Sequence, residues 1–400
     1  MNKLKKIYCR AYQFGFRLAL PILPYRIPAR VEGFAGVPDV LKKHGKTRVL
    51  LITDPGIYKL GLTTPLEDIL RENGVFVSVY KDTCPNPTFA NIEAALEQYR
   101  RDECQALIAF GGGSSMDCAK GCGARIAPPN RTLKQLTGIL RLTHKLPLLI
   151  AVPTTAGTGS ETTLAAVLTD EKTHYKAAIY AFQLIPDYAV LEPQVTLGLP
   201  PFITATTGMD AMTHAIEAFI GQSTTEVTRA QAIEAVNLIL RYLPRAYHDG
   251  SDVEARAAML RAANLAGAAF TVSYVGYVHA VAHSLGGMYG IAHGLANSVL
   301  LPIVLEDYGE CVYHSLTMLG RSAGLITDPD ISDEDGAKFF IAKIREMNRE
   351  FSIPETLEGI RDEDIPELSR RADREANPLY PVPTLWNAQE LQRIYRQVQA

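Results

Sequence analysis

Apolar positions in the first half of the chain come in short continuous runs, whereas in the second half they recur with a helical period. The runs are RVLLIT (48–53), VFVSVY (75–80), ALIAFGGG (106–113) and PLLIAVPTT (147–155). Their length and apolar character predict strands, RVLLIT a buried one. Between them, TTPLEDILRENG (63–74), ANIEAALEQYRRDEC (90–104) and SMDCAKGCGARI (115–126) read as helices, the first stopped by Gly74, and TCPNPT (83–88) reads as a loop. Strands alternating with helices imply a parallel sheet with helical crossovers, a Rossmann-like α/β domain.

From about residue 200 the texture changes. GMDAMTHAIEAFI, TRAQAIEAVNLILRYL, EARAAMLRAANLAGAAF and the stretch 277–297 are Ala-rich and helix-patterned, and DGAKFFIAKIREMNREF and NAQELQRIYRQV continue the theme. A boundary is expected near LGLPP (197–201). The expected division is a basic extension over 1–30, an α/β domain over 31–198 and an all-α domain over 199–400. The length of 400 residues already favours two cores over one.

Charge changes the picture only at the N-terminus. A net charge of −3 gives no electrostatic case for nucleic acid. No stretch of 18 apolar residues predicts a spanning helix. Residues 1–30, however, hold Lys3, Lys5, Lys6, Arg10, Arg17, Arg26 and Arg30 with no acid before Glu32. Leu4, Ile7, Tyr8, Ala11, Gly15 and Leu18 follow a helical rhythm there, and Arg10 and Arg17 interrupt any signal-peptide core. Such a basic amphipathic helix, over residues 1–20, suits an anionic membrane surface. The preferred reading is packing on its own protein or on a sister subunit. The six cysteines are scattered, with no CxxC pair, so a reducing cytoplasm is the expected compartment.

The candidate chemistry sits in two places. Asp210 and His214 stand at i and i+4, which places them on one helix face, and His279 and His283 repeat that spacing. Gly286, Gly287 and Gly290 are expected to break the second helix before His293. A carboxylate with several imidazoles is what a catalytic Zn²⁺ or Fe²⁺ site needs. Any one of these histidines, taken alone, reads first as a satisfied core or surface residue. The second place is GGGSS after the strand 106–110, where glycines and a helix start can receive a phosphate. It is neither G-x-G-x-x-G nor a P-loop. PTTAGTGSE (153–161) supplies a second hydroxyl-rich loop after a strand. Asp54, at the end of another strand, can hold a ribose hydroxyl or simply make an Asp-Pro-Gly turn.

Taken in order, DPGIYKLGL, PNPT, GGGSSMDCAK, PTTAGTGSE, TGMDAMTHAIEAF, VHAVAHSLGGMYGIAHGLAN and the late NPLYPVPTLWNAQEL resemble the iron-containing (group III) alcohol dehydrogenases. The resemblance spans roughly residues 45–395. It implies an NAD-binding α/β domain and a helical metal-binding domain. It places the metal ligands on Asp210, His214, His279 and His293, and makes His283 a proton relay outside the ligand set. It assigns Gly112, Gly113 and Ser114 to the pyrophosphate loop and Thr154, Thr155 and Thr158 to a second cofactor loop. Asp54 would favour NAD, with Asn86 and Lys176 as further cofactor contacts. The implied cofactors are NAD and Fe²⁺, with Zn²⁺ as the alternative metal. The implied reaction interconverts a small alcohol and its aldehyde or ketone, in a homodimer or higher homo-oligomer. The alternatives are a glycerol-dehydrogenase- or dehydroquinate-synthase-like enzyme on the same fold, or a non-catalytic scaffold. The basic extension and VEGFAGVPDVLKKHG (31–45) depart from the family's usual start.

Overall fold

A computed structural model describes residues 1–171 and 175–400, without the side chains of residues 175 and 176. The chain forms two compact units, Pro24–Gly198 and a second made of Met1–Leu23 with Leu199–Ala400. The boundary falls at Gly198, inside LGLPP, and residues 1–23 group with the C-terminal half.

The Pro24–Gly198 unit contains strands β1 (Ala29–Glu32), β2 (Arg48–Ile52), β3 (Phe76–Tyr80), β4 (Ala106–Gly111), β5 (Gly138–Ile139), β6 (Leu148–Pro153), β7 (Ala165–Asp170), β8 (Tyr175–Tyr180) and β9 (Tyr188–Leu191). Its helices are α2 (Val37–Lys43), α3 (Pro55–Lys59), α4 (Thr64–Glu72), α5 (Phe89–Arg101), α6 (Gly113–Ile126) and α7 (Leu133–Leu136). Six strands pair in parallel in the order β1-β9-β6-β4-β2-β3. From β2 the chain steps outward to β3, then crosses back to β4 on the other side of β2. The direction of winding therefore reverses between β2 and β4, and ligands of open α/β sheets bind outside the carboxyl ends of the strands at such a point.

Alternation along the strands builds both cores. Leu50, Ile52, Leu107, Ala109, Leu149 and Ala151 join one cluster with residues of α5 and α6. Val49, Leu51, Ile108, Phe110, Ile150 and Val152 join the opposite one with residues of α2 and α4. This two-sided burial is why the strands read as unbroken apolar runs. A second, three-stranded sheet, β5-β8-β7, was not evident in the apolar pattern. Strand β5 has only two residues, and Val167, Tyr180 and Ile139 remain exposed.

The other unit is helical. It holds α1 (Lys3–Ala19), α8 (Pro201–Ile220), α9 (Glu226–His248), α10 (Val253–Ser273), α11 (Tyr277–Tyr289), α12 (His293–Tyr308), α13 (Glu310–Ser322), α14 (Asp333–Glu350), α15 (Ile365–Ala376) and α16 (Ala388–Val398). Helix α8 is buried on nearly every side from Thr204 to Ile220, as expected of a central helix apolar all round. One expectation needs correcting: Gly286 and Gly287 do not break α11. The helix runs on to Tyr289 and ends at Gly290, whose φ of +70° is the left-handed conformation a helix C-terminus favours.

Candidate functional site

Three helices supply one cluster. On α8, Asp210, His214 and Glu217 lie at i, i+4 and i+7, and so share a face. Helix α11 adds His279, and His293 is the first residue of α12. One ligand-capable atom from each of Asp210, His214, His279 and His293 lies within 4.8 Å of the others. Asp210 Oδ1 is 3.4 Å from His293 Nε2 and 4.0 Å from His279 Nε2. Asp210, His214 and His279 are buried, and His293 is partly open.

A second layer sets the imidazoles. Glu217 Oε2 is 2.6 Å from His279 Nδ1 and accepts the Gly276 N–H at 2.8 Å, while Oε1 accepts the Val278 N–H at 2.8 Å. With the Nδ1 proton committed to Glu217, the lone pair of His279 sits on Nε2 and faces the cluster. The His214 ring stacks on Phe270 of α10, with centroids 4.2 Å apart at 15°. Asn297, one turn after His293, lies with Nδ2 2.6 Å from Asp210 Oδ1, 3.2 Å from His279 Nε2 and 3.1 Å from His293 Nε2.

The residues fit a divalent cation. A carboxylate oxygen and two imidazole nitrogens converge on a single amide donor. Meanwhile His214 Nδ1 and Asn297 Oδ1 are buried with no hydrogen-bond partner. A buried group of acceptors with too few donors is the arrangement a cation completes. The electrostatics agree. Burial holds His214 down to about 4, against the attraction of Asp210, so it is neutral and able to ligate at neutral pH. Burial also holds His279 well below its ordinary value. Burial would raise Asp210, but His293, His214 and His279 outweigh it and keep the carboxyl below its usual range.

His283 lies beside this cluster. Its ring stacks on that of His293 at 5.2 Å and 16°, and its Nδ1 is 2.6 Å from Glu375 Oε1 on α15. Glu375 also accepts the Tyr380 hydroxyl at 2.6 Å. Against burial, His283 and Tyr380 hold the Glu375 carboxyl below its ordinary value.

In the α/β unit the expected cofactor residues other than Lys176 lie on the segments that follow β2, β3, β4 and β6. A Cβ on Gly112 would stand 3.7 Å from Thr155 Oγ1, and one on Gly113 3.7 Å from Thr158 Cγ2, so the two loops lie side by side. The Thr154 N–H bonds Gly111 O at 3.1 Å. Helix α6 starts at Gly113 with no side-chain cap on its first N–H groups, which leaves them open to an anion. Ser114 Oγ accepts the Asn86 N–H at 3.4 Å, and Asn86 itself has φ of +53°. Asp54 caps α3, its Oδ1 accepting the Ile57 N–H at 3.0 Å. The Lys176 side chain lies outside the described residues, its backbone being in β8.

Sequence reasoning passed over Glu217, Glu375 and Asn297. Glu217 and Asn297 carried a signal, one continuing the α8 face three residues after His214 and the other at i+4 from His293. Glu375 carried none, because its partner His283 is 92 residues away.

The profile of the family described as iron-containing alcohol dehydrogenase matches residues 25–193. The profile of the Fe-containing alcohol dehydrogenase family's C-terminal part matches residues 204–399. The 1,3-propanediol dehydrogenase of Citrobacter freundii is 39% identical over 365 residues, which covers 90% of this chain and 94% of that one. The NAD-dependent methanol dehydrogenase of Bacillus methanolicus is 35% identical over 354 residues, 86% of this chain and 91% of that one. A crystal structure of a 1,3-propanediol oxidoreductase is similar with a TM-score of 0.89 at 36% identity, covering 94% of this chain and 99% of that one.

Proposed function

The chain belongs to the iron-containing alcohol dehydrogenase family, and from that premise we infer that it is an NAD-dependent alcohol dehydrogenase interconverting a small alcohol and its aldehyde or ketone. The single observation that carries the reading is the convergence of Asp210, His214, His279 and His293. Those four residues would hold the divalent cation. Iron is the family's metal, and one carboxylate with three imidazoles also suits zinc. When bound, the cation would act as a Lewis acid on the substrate oxygen, and NAD would accept or return the hydride.

The chain's own residues do the rest. Glu217 fixes the His279 tautomer, so that Nε2 stays a lone-pair donor. Phe270 holds the His214 ring in its plane. His283, its side chain 43% exposed and its Nδ1 tied to Glu375, is the group proposed to take up the hydroxyl proton and pass it to solvent. Gly112, Gly113 and the open start of α6 would receive the pyrophosphate, with Thr155 and Thr158 beside it. Asp54, at the end of β2 beside the switch in winding, would meet a ribose hydroxyl and disfavour a 2′-phosphate. All six cysteines are free thiols, which supports a reducing cytoplasm as the compartment.

The test follows NADH absorbance under anaerobic conditions with Fe²⁺ and a panel of small alcohols, diols and the matching aldehydes. Iron-dependent NADH formation or consumption is expected. Bound iron without redox turnover across the panel would instead favour a lyase of the dehydroquinate-synthase kind.

A further inference from the structure

Helix α1 has two opposed sides, and the fold uses one. Cys9, Gln13 and Leu20 on that side are buried. Gln13 Nε2 donates to Tyr380 O at 2.7 Å, and Phe16 meets the edge of Tyr274 at 5.1 Å. The Arg10 guanidinium donates to the carbonyls of Val382 and Pro383 at 2.8 Å each. The helix is thus docked on its own unit and capped by Asn2, whose side chain accepts the Lys5 N–H.

At 3.6 residues per turn the opposite side carries Leu4, Ile7, Tyr8, Ala11, Phe14 and Leu18. Exposure there is high: Leu4 79%, Ile7 57%, Tyr8 59%, Phe14 62% and Leu18 64%, with Ile22 at 84% just beyond. This is a contiguous apolar stripe in water on a helix whose docking needs are already met. Contiguous exposure of this kind marks an interaction surface rather than incidental surface composition.

Charge identifies what covers it. No acid occurs before Glu32, and Lys3, Lys6 and Arg17 are exposed along one edge of the stripe. On the other flank Lys5 is paired with Asp373 at 2.9 Å. A two-fold contact between α1 helices would press these cations together with no carboxylate on the helix to receive them. An anionic lipid surface offers the opposite charge together with an apolar interior at the right depth for Leu, Ile and Phe. Tyr8 and Tyr12 suit the headgroup level, where one end of the ring is apolar and the other wet. No single described helix is long and apolar enough to cross a membrane, so the contact lies in the surface plane.

We propose that α1 seats this protein on an anionic lipid surface, with Leu4, Ile7, Phe14 and Leu18 entering the acyl boundary and Lys3, Lys6 and Arg17 facing the headgroups. The inference is independent of the alcohol chemistry, so each can fail alone.

The full-length, metal-loaded protein would be sedimented with vesicles of phosphatidylcholine alone and of phosphatidylcholine with about one third phosphatidylglycerol. Binding to the anionic vesicles only, weakening as salt rises, is the expected result. Leu4→Ser with Phe14→Ser and Leu18→Ser should lower that affinity more than about tenfold. Lys3→Gln with Lys6→Gln and Arg17→Gln should lower it about fivefold per cation and flatten the salt dependence. This second variant keeps every apolar residue, so a folding defect in the first cannot mimic it. Both should oxidise alcohol in solution like the parent. Failure of the parent to bind anionic vesicles, or binding unaffected by either variant, overturns the proposal. So does a parent that ignores lipid while forming a larger assembly than the serine variant, because a second copy then covers the stripe.

Discussion

Around Asp210, four ligand-capable side chains from three long helices meet within 4.8 Å, and Glu217 holds one of them from behind. Around Gly112 the working groups are backbone N–H donors at a helix start, with glycines leaving room and threonines beside them. The first region is a cluster of buried side chains, rigid because α8 is packed on nearly every side. The second is a set of strand ends whose shape depends on what is missing from the side chains. Substitutions should therefore act differently in the two places. In the helical unit, removing an atom removes a donor. In the α/β unit, adding an atom fills a cradle.

The largest effect is expected from His293→Ala. Metal content should fall to background, and turnover should fall by about a thousandfold or more, as befits the loss of several kcal/mol of charge stabilisation. Elemental analysis beside an activity assay reads both, and a variant that retained iron would break the side-chain half of the comparison. His283→Ala should keep its metal and lose about a hundredfold in kcat, the scale of one general acid–base group. Loss of metal in that variant would move His283 into the ligand set. Glu217→Gln should weaken metal affinity about 10- to 100-fold, measured by competition with a chelator, since it still occupies the space but no longer holds the Nδ1 proton as a carboxylate does. Gly113→Ala should raise the KM for NAD about tenfold with metal content and Tm unchanged, because the added methyl makes only ordinary contact with Thr158 inside the protein and obstructs only what enters the loop. A large loss of stability there would mean that the glycine serves the fold rather than the cofactor.

The smallest effect is a pH dependence in metal-free protein. His214 is held down to about 4 by burial, below its ordinary 6.5, so it stabilises the fold fully above 6.5 and this is lost as pH falls through about 4. Glu217 has the opposite sign. Burial, opposed by the Gly276 and Val278 N–H groups, pushes it up to about 7 from 4.5, so its contribution is present below 4.5 and lost as pH rises through about 7. Acidification from neutrality therefore weakens the fold at His214 while strengthening it at Glu217. Calorimetry should find that Tm of metal-free Glu217→Gln falls more steeply with acid than that of the parent. Parallel slopes would remove Glu217 from this balance.

The same contrast explains what could be read in the sequence. β2, β4 and β6 were visible because burial on both faces makes them continuous apolar runs, and the pairs Asp210/His214 and His279/His283 because a helix fixes i and i+4. The sheet β5-β8-β7 was hidden because exposed positions such as Val167, Tyr180 and Ile139 interrupt any continuous buried run. Gly286 and Gly287 suggested a break that does not occur, since a helix held by its neighbours tolerates glycine at a modest cost. The pairing of His283 with Glu375 needed the tertiary fold, because nothing local marks two side chains 92 residues apart. Helix α1 was legible as amphipathic, yet only the structure separates its docked side from the stripe it leaves in water.

The central claim is that one iron in the Asp210, His214, His279 and His293 cluster enables NAD-linked alcohol oxidation. Anaerobic titration of Fe²⁺ into metal-free protein, with NADH formation followed at each addition, tests it most directly. The account predicts that bound iron and initial rate rise together and saturate at a single iron per chain. Full NADH formation in the absence of any divalent metal, or iron binding that leaves the rate unchanged, would contradict it.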